Sequence, residues 1–174
     1  IFDYVDDSYG WEFEQNVTFY KPYSKSLPTK QARLLTLWDF LGIPHKEKKQ
    51  LSGSRLPIIG FEVDPNGMSI TLPPQSKEDL VTFVQLFVDS PSRRRKLGEY
   101  QSLAGWMNWS FNVFPLLRPS LSNVYDKMKG KTNANASIYL NEAVKDDLRW
   151  FIKHITNANG VLLFEGMDWN PFLE

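Results

Sequence analysis

Tyr4-Val5-Asp6-Asp7 sets two carboxylates side by side near the start of a 174-residue chain. Carboxylate oxygens are the ligands that a hard divalent cation such as magnesium demands, and repulsion between neighbouring aspartates favours cation uptake. Adjacent side chains on a strand point to opposite faces, so both can approach one ion only where the backbone turns. The same pair also fits an ordinary acidic turn, and a tetrapeptide does not choose between the two. Lys46, Lys48 and Lys49 form a compact basic segment that also reads as a solvated loop. Arg93, Arg94, Arg95 and Lys96 precede a predicted helix, where the helix dipole favours acids. Phosphate contact therefore competes with a simple charge run as their explanation. Trp106 and Trp109 could stack on bases or sugars, but aromatic residues on an amphipathic helix read first as core. His45 and His154 lack ligand-spaced partners and are assigned to neither chemistry nor zinc.

The formal net charge of zero hides a segregation. Residues 1–20 hold five acids (Asp3, Asp6, Asp7, Glu12, Glu14) and no Lys or Arg, whereas residues 21–55 hold eight bases against Asp39 and Glu47. A second basic stretch runs from Arg93 to Lys131 against Glu99 and Asp126. An acidic cluster flanked by basic surface suits a cation site beside a polyanion, although helical proteins also carry solvated charge runs. With 42% hydrophobic and 23% charged residues the chain can bury a core, which excludes a disordered protein. The absence of cysteine removes disulfides and thiolate metal sites. No apolar run approaches the roughly 20 residues of a membrane span, and the acidic start is unlike a signal peptide. Intracellular residence without membrane association is the expectation. The chain opens in what reads as mid-strand, with no initiator Met, which suggests a piece of something longer.

The elements that must position these groups can be read from pattern and turn chemistry. Phe2–Val5 and Val17–Tyr20 are predicted strands of one hairpin, with Asp6 and Asp7 at its tip. Leu34, Leu35, Leu37, Trp38 and Leu41 form a near-helical stripe ended by Gly42 and Pro44, predicting a helix of about four turns. Ile58–Val63 and Met68–Leu72 flank Asp64-Pro65-Asn66-Gly67, a strong hairpin signal. After Pro73-Pro74 the pattern turns helical, and the principal boundary is placed there. Leu80, Phe83, Val84 and Phe87 predict one helix; Leu97, Tyr100, Ala104, Met107 and Phe111 predict a second that stops near Pro115. A third covers Ser120–Met128. A fourth begins after Ser137, with Leu140, Val144, Leu148, Phe151, Ile152 and Ile155 on its apolar face. Residues 129–136 read as a linker, and the tail from Val161 as the first strand of a further module.

The order of these features resembles a reverse transcriptase palm leading into its thumb: Tyr4-Val5-Asp6-Asp7, a helix, a basic loop, Ile59-Gly60-Phe61 opening a second hairpin, then helices. Leu97-Gly98-Glu99-Tyr100-Gln101-Ser102-Leu103-Ala104-Gly105-Trp106-Met107-Asn108-Trp109 and Phe114-Pro115-Leu116-Leu117-Arg118-Pro119-Ser120-Leu121 resemble the segment after the polymerase in retrotransposons of the tyrosine-recombinase, DIRS-like type. The resemblance covers roughly residues 1–155. It implies an α+β fold: a C-terminal part of a palm over residues 1–73, a helical thumb-like region over 74–128, and over 129–174 a linker, a helix and the lead-in to a ribonuclease H-like domain. It implies Asp6 as the more direct ligand of magnesium or manganese, with Asp7 in support, for two-metal nucleotidyl transfer. Ile59, Gly60 and Phe61 correspond to a primer grip, though a simple core hairpin explains them too. Lys46, Lys48 and Lys49 are the candidates for the lysine that such polymerases place near the departing pyrophosphate; apart from the resemblance, the helix-start position of Arg93, Arg94, Arg95 and Lys96 points to nucleic-acid contact. The implied partners are an RNA template, a DNA primer, deoxynucleoside triphosphates, and an N-terminal palm and fingers from the same polyprotein.

A second reading keeps only the basic surfaces and makes the chain a non-catalytic nucleic-acid-binding module derived from a retroelement. Under the first reading a further catalytic aspartate and the fingers belong upstream of Tyr4. The 174-residue chain alone is therefore expected to incorporate no nucleotide on a primed template with magnesium; robust incorporation would overturn the fragment reading.

Overall fold

The computed structural model describes residues 2–4 and 7–163, with side chains from residue 8 onward. The fold is α+β, as the sequence implied. The chain divides into two compact units, residues 1–58 and 59–174, so the division falls before the change of composition at Pro73-Pro74.

In the first unit β1 (Phe2–Tyr4) pairs antiparallel with β2 (Asp7–Tyr9) in the register Phe2↔Tyr9, Asp3↔Ser8 and Tyr4↔Asp7. The predicted pairing of Phe2–Val5 with Val17–Tyr20 is therefore corrected. β3 (Val17–Tyr20) pairs instead with β4 (Lys25–Pro28), from Val17↔Pro28 to Tyr20↔Lys25. The reason is turn chemistry in Lys21-Pro22-Tyr23-Ser24: Pro22 opens a 3₁₀ turn and Ser24 takes a left-handed backbone (φ 49°), which reverses the chain at once. Helix α1 (Thr29–Leu41) ends where the glycine signal placed it, at Gly42 with φ 70°. A 3₁₀ turn at Glu47–Lys49 and strand β5 (Leu56–Ile58) complete the unit. Its buried apolar cluster is small: Tyr20, Leu27, Ala32 and Leu35, with Tyr23 and Trp38 against it.

The second unit begins with the hairpin of β6 (Phe61–Asp64) and β7 (Ser69–Thr71), paired from Glu62↔Thr71 to Asp64↔Ser69. Asp64 makes the turn by accepting hydrogen bonds from the Asn66 and Gly67 amides (3.0 and 2.8 Å). The first strand starts at Phe61 instead of Ile58, because Ile59 and Gly60 both carry positive φ (49° and 78°). Four helices follow, interrupted by one short strand pair. Helix α2 (Pro74–Val88) buries Leu80, Val84, Phe87 and Val88, and β8 (Arg94–Lys96) runs into α3 (Leu97–Ser110). The third predicted helix is two segments, a 3₁₀ stretch at Pro115–Leu121 and α4 (Ser122–Met128); Pro115 and Pro119 favour the tighter form at its start. The fourth helix starts later than predicted. Ser137–Tyr139 is β9, antiparallel to β8, and only at Asn141, whose side chain accepts from the Val144 amide, does α5 (Glu142–Asn157) begin.

Helix α5 turns Val144, Leu148, Phe151 and Ile155 into the core, all fully buried, and packs against α2 and the 3₁₀ segment. Lys77 of α2 caps its far end by donating to the carbonyls of Thr156 and Ala158 (3.2 and 2.8 Å). The tail strand β10 (Val161–Leu162) pairs antiparallel with β7, so it belongs to this sheet; residues 164–174 lie outside the described residues. Gly160 permits that return. Its φ is +93°, and a Cβ there would stand 2.3 Å from the Ile70 carbonyl oxygen and 2.8 Å from the Thr71 Cβ. Gly160→Ala is expected to destabilise the second unit by at least about 1–2 kcal/mol from the left-handed backbone alone. A lowered midpoint in chemical denaturation, with faster amide exchange at Ile70 and Val161, checks this.

Candidate nucleic-acid and metal site

The carboxylate hairpin is tighter than its predicted form. Tyr4 and Asp7 face one another across the ladder, so Asp7 begins a strand, while Asp6 lies outside the described residues. Among the residues whose side chains are described, no group of three or more histidines and acids is placed to hold a metal ion. Two adjacent carboxylates match the hard oxygen chemistry of magnesium or manganese.

Beyond α1 the chain enters the lysine segment through a polar cluster that the sequence did not reveal. Gly42 and Ile43 donate to the last carbonyls of α1, Asp39 and Trp38, and two residues later His45 turns inward with its side chain 8% exposed. Its Nε2 stands 3.0 Å from Asp39 Oδ1, and its Nδ1 is hydrogen bonded to the Tyr23 hydroxyl. Tyr20, buried, donates its hydroxyl to the other oxygen of Asp39. A carboxylate can only accept, so Nε2 donates to Asp39, and both ring nitrogens of His45 have a hydrogen-bond partner. The Tyr20 hydroxyl, then His45, hold the Asp39 carboxyl below its ordinary value against the opposing effect of burial. Burial, then the Asp39 charge, push both tyrosine hydroxyls up. Lys46, Lys48 and Lys49 follow directly and are exposed.

Gly60 owes its place to Trp109. A Cβ on Gly60 would stand 3.0 Å from the Trp109 ring, and that ring stacks on Phe61 with centroids 4.8 Å apart and planes at 23°. The Ile59-Gly60-Phe61 turn is thereby fastened to the C-terminal end of α3, and Trp109 is partly buried in doing so. Trp106 meets Phe83 edge-on at 5.0 Å and stays 41% exposed, so it is only half core.

The basic run at residues 93–96 divides by role. Arg94 and Arg95 sit in a strand, so the argument from the helix dipole no longer applies to them. Arg95 Nη1 pairs with Glu99 at 2.6 Å, Nη2 donates to the Leu86 carbonyl, and the guanidinium lies 5.0 Å from the Phe87 ring centre. Glu99 also accepts from the Lys96 amide at 2.7 Å; that bond, then Arg95, lowers its carboxyl from the ordinary value against burial. Arg95 is therefore an internal fastener, leaving Arg93, Arg94 and Lys96 exposed. These lie at the opposite end of α3 from the Gly60 turn, about 20 Å away along a helix of this length. The lysine segment and Asp7 belong to the first unit, the Gly60 turn and the arginines to the second.

Neither a protein-family profile nor a curated protein sequence matches the chain. Among the described residues no helix is long and apolar enough to cross a membrane.

The Asp39 environment carries a pH signature. A carboxyl lowered in the folded state contributes stability that is complete above its unfolded value, about 3.9, and disappears as pH falls through the lower folded value. Asp39→Asn should flatten the loss of first-unit stability below about pH 4, measured by denaturant midpoints across the acid range. An unchanged acid limb in the variant would show that Asp39 gains nothing from Tyr20 and His45.

Proposed function

We propose that this chain is part of an RNA-directed DNA polymerase of the retrotransposon kind, comprising the carboxylate hairpin, a primer-positioning turn and a helical thumb. The observation that carries the reading is the register of β1 and β2, which pairs Tyr4 with Asp7 across a tight antiparallel hairpin. The features that follow in chain order add support: α1, the lysine segment, and a Gly60 turn backed by Trp109. Asp6 and Asp7 would hold magnesium or manganese, which when bound stabilises the attacking and leaving oxygens of an in-line displacement at phosphate. Ile59, Gly60 and Phe61 would hold the primer end against a rigid backing. Lys46, Lys48 and Lys49 would face the polyphosphate, and Arg93, Arg94 and Lys96 the backbone of the template and primer.

The first unit also exposes apolar surface that its own core does not use. Phe19 is 63% and Phe40 85% exposed, and Val17, Leu37 and Leu41 are more than half exposed. Such surface suits a palm completed by further strands, which we assign to the N-terminal palm and fingers of the same polyprotein. In the complete polymerase, Asp6→Ala with Asp7→Ala should cut incorporation by roughly a thousandfold or more, while primer-template affinity at fixed salt stays within about twofold. Retained synthesis would overturn the catalytic reading; loss of synthesis matched by an equal loss of primer-template binding would do the same.

A further inference from the structure

We infer that Tyr20, Asp39 and His45 form a binding site for a divalent cation of the zinc class, which fastens helix α1 to the β3–β4 hairpin. The inference concerns the first unit alone and does not depend on the proposed polymerase function. Three elements bring the donors together: Tyr20 closes β3, Asp39 lies in the last turn of α1, and His45 follows the Gly42 turn. His45 Nε2 stands 3.0 Å from Asp39 Oδ1 and 3.4 Å from the Tyr20 hydroxyl, which in turn is 2.5 Å from Asp39 Oδ2. Zinc held at about 2.0–2.2 Å by imidazole nitrogen and by oxygen sets neighbouring donors roughly 3.0–3.5 Å apart. Both distances to Nε2 already lie in that range, so only the contact between Tyr20 and Asp39 must open to admit the ion. One imidazole, one carboxylate and one phenol suit zinc better than magnesium, which prefers oxygen alone.

The imidazole is presented as that of a metal ligand is. The His45 side chain is 8% exposed and that of Asp39 44%, so the cation enters on the Asp39 side and keeps a water there as its fourth ligand. Nε2 gives up its hydrogen, and Nδ1 then donates to the Tyr23 hydroxyl, which can accept as well as donate. A partner on the second ring nitrogen is what fixes the orientation of a metal-bound histidine. In the metal-free chain burial, then the hydrogen bond to Asp39 and its charge, hold the Tyr20 hydroxyl against ionisation. A cation beside Asp39 offsets that charge and reverses its effect on the phenol. The first unit also has use for such a tie: its buried apolar cluster is four residues in a unit of residues 1–58, a size at which a core alone gives little stability.

The test uses the full 174-residue chain, stripped with a chelator and carrying Asp6→Asn and Asp7→Asn so that the other carboxylate pair does not contribute. Zinc chloride titrated by calorimetry should bind at one ion per chain and raise the denaturation midpoint of the first unit. His45→Ala should abolish that binding. Loss of an outer-shell partner already weakens metal sites by about 10–100-fold, so Asp39→Asn and Tyr20→Phe should each cost at least about tenfold. The chain has two histidines and no cysteine, and His154→Ala, in the second unit, should leave affinity unchanged. A measurement with the site intact covers a variant that fails to fold: cobalt(II) should broaden the imidazole proton resonances of His45 and spare those of His154. The inference is overturned if zinc does not bind or leaves the midpoint unmoved, or if His45→Ala, Asp39→Asn or Tyr20→Phe binds as the parent does. Loss of binding in His154→Ala, or broadening of His154 in preference to His45, overturns it equally.

Discussion

Leu97, Tyr100, Leu103, Ala104 and Met107 are all buried, and this leaves α3 one way to lie: inside the second unit, covered by the elements around it. A helix so placed is a rigid rod of known length. Its N-terminal end is held by Glu99, which reaches back to the Lys96 amide and out to Arg95, and Arg95 in turn ties the strand pair β8 and β9 to the end of α2. Its C-terminal end carries Trp109, against which the Ile59-Gly60-Phe61 turn is pressed. The exposed arginines and the turn are consequently spaced by the helix between them. Nothing local to either group could set that spacing.

The first unit is built on a different balance. Four residues make its buried cluster, far fewer than the second unit has, and much of its apolar surface faces outward. Just before its most basic segment lies a hydrogen-bonded cluster in which each partner is satisfied: Asp39 accepts from Tyr20 and His45, and His45 is also hydrogen bonded to Tyr23. Such networks are worth having only when complete, since a buried polar group left unpaired costs more than a made bond returns.

In the polymerase proposed above, the two units would offer different services. The first would supply the carboxylates and lysines, whose charge would act on metal and phosphate. The second would supply a braced turn and a basic strand to hold a duplex in place. A template-directed phosphoryl transfer needs both: charge stabilisation where bonds change, and positioning of the reacting ends.

What could be read from the residues was whatever depends on neighbours in the chain. α1 ends at Gly42, Asp64-Pro65-Asn66-Gly67 turns, and the spacing of Val144, Leu148, Phe151 and Ile155 marks the buried face of α5, because turns, caps and helical stripes are local. Pairing between strands is not local. Val17–Tyr20 has the same β character whether it joins Phe2–Tyr4 or Lys25–Pro28, and Arg94–Lys96 looks like a helix start until Ser137–Tyr139, far along the chain, forms a ladder with it. His45 likewise seemed isolated, since Tyr20 and Tyr23 precede the helix and the imidazole follows it. Only the packing of α1 on its hairpin brings them within hydrogen-bonding distance.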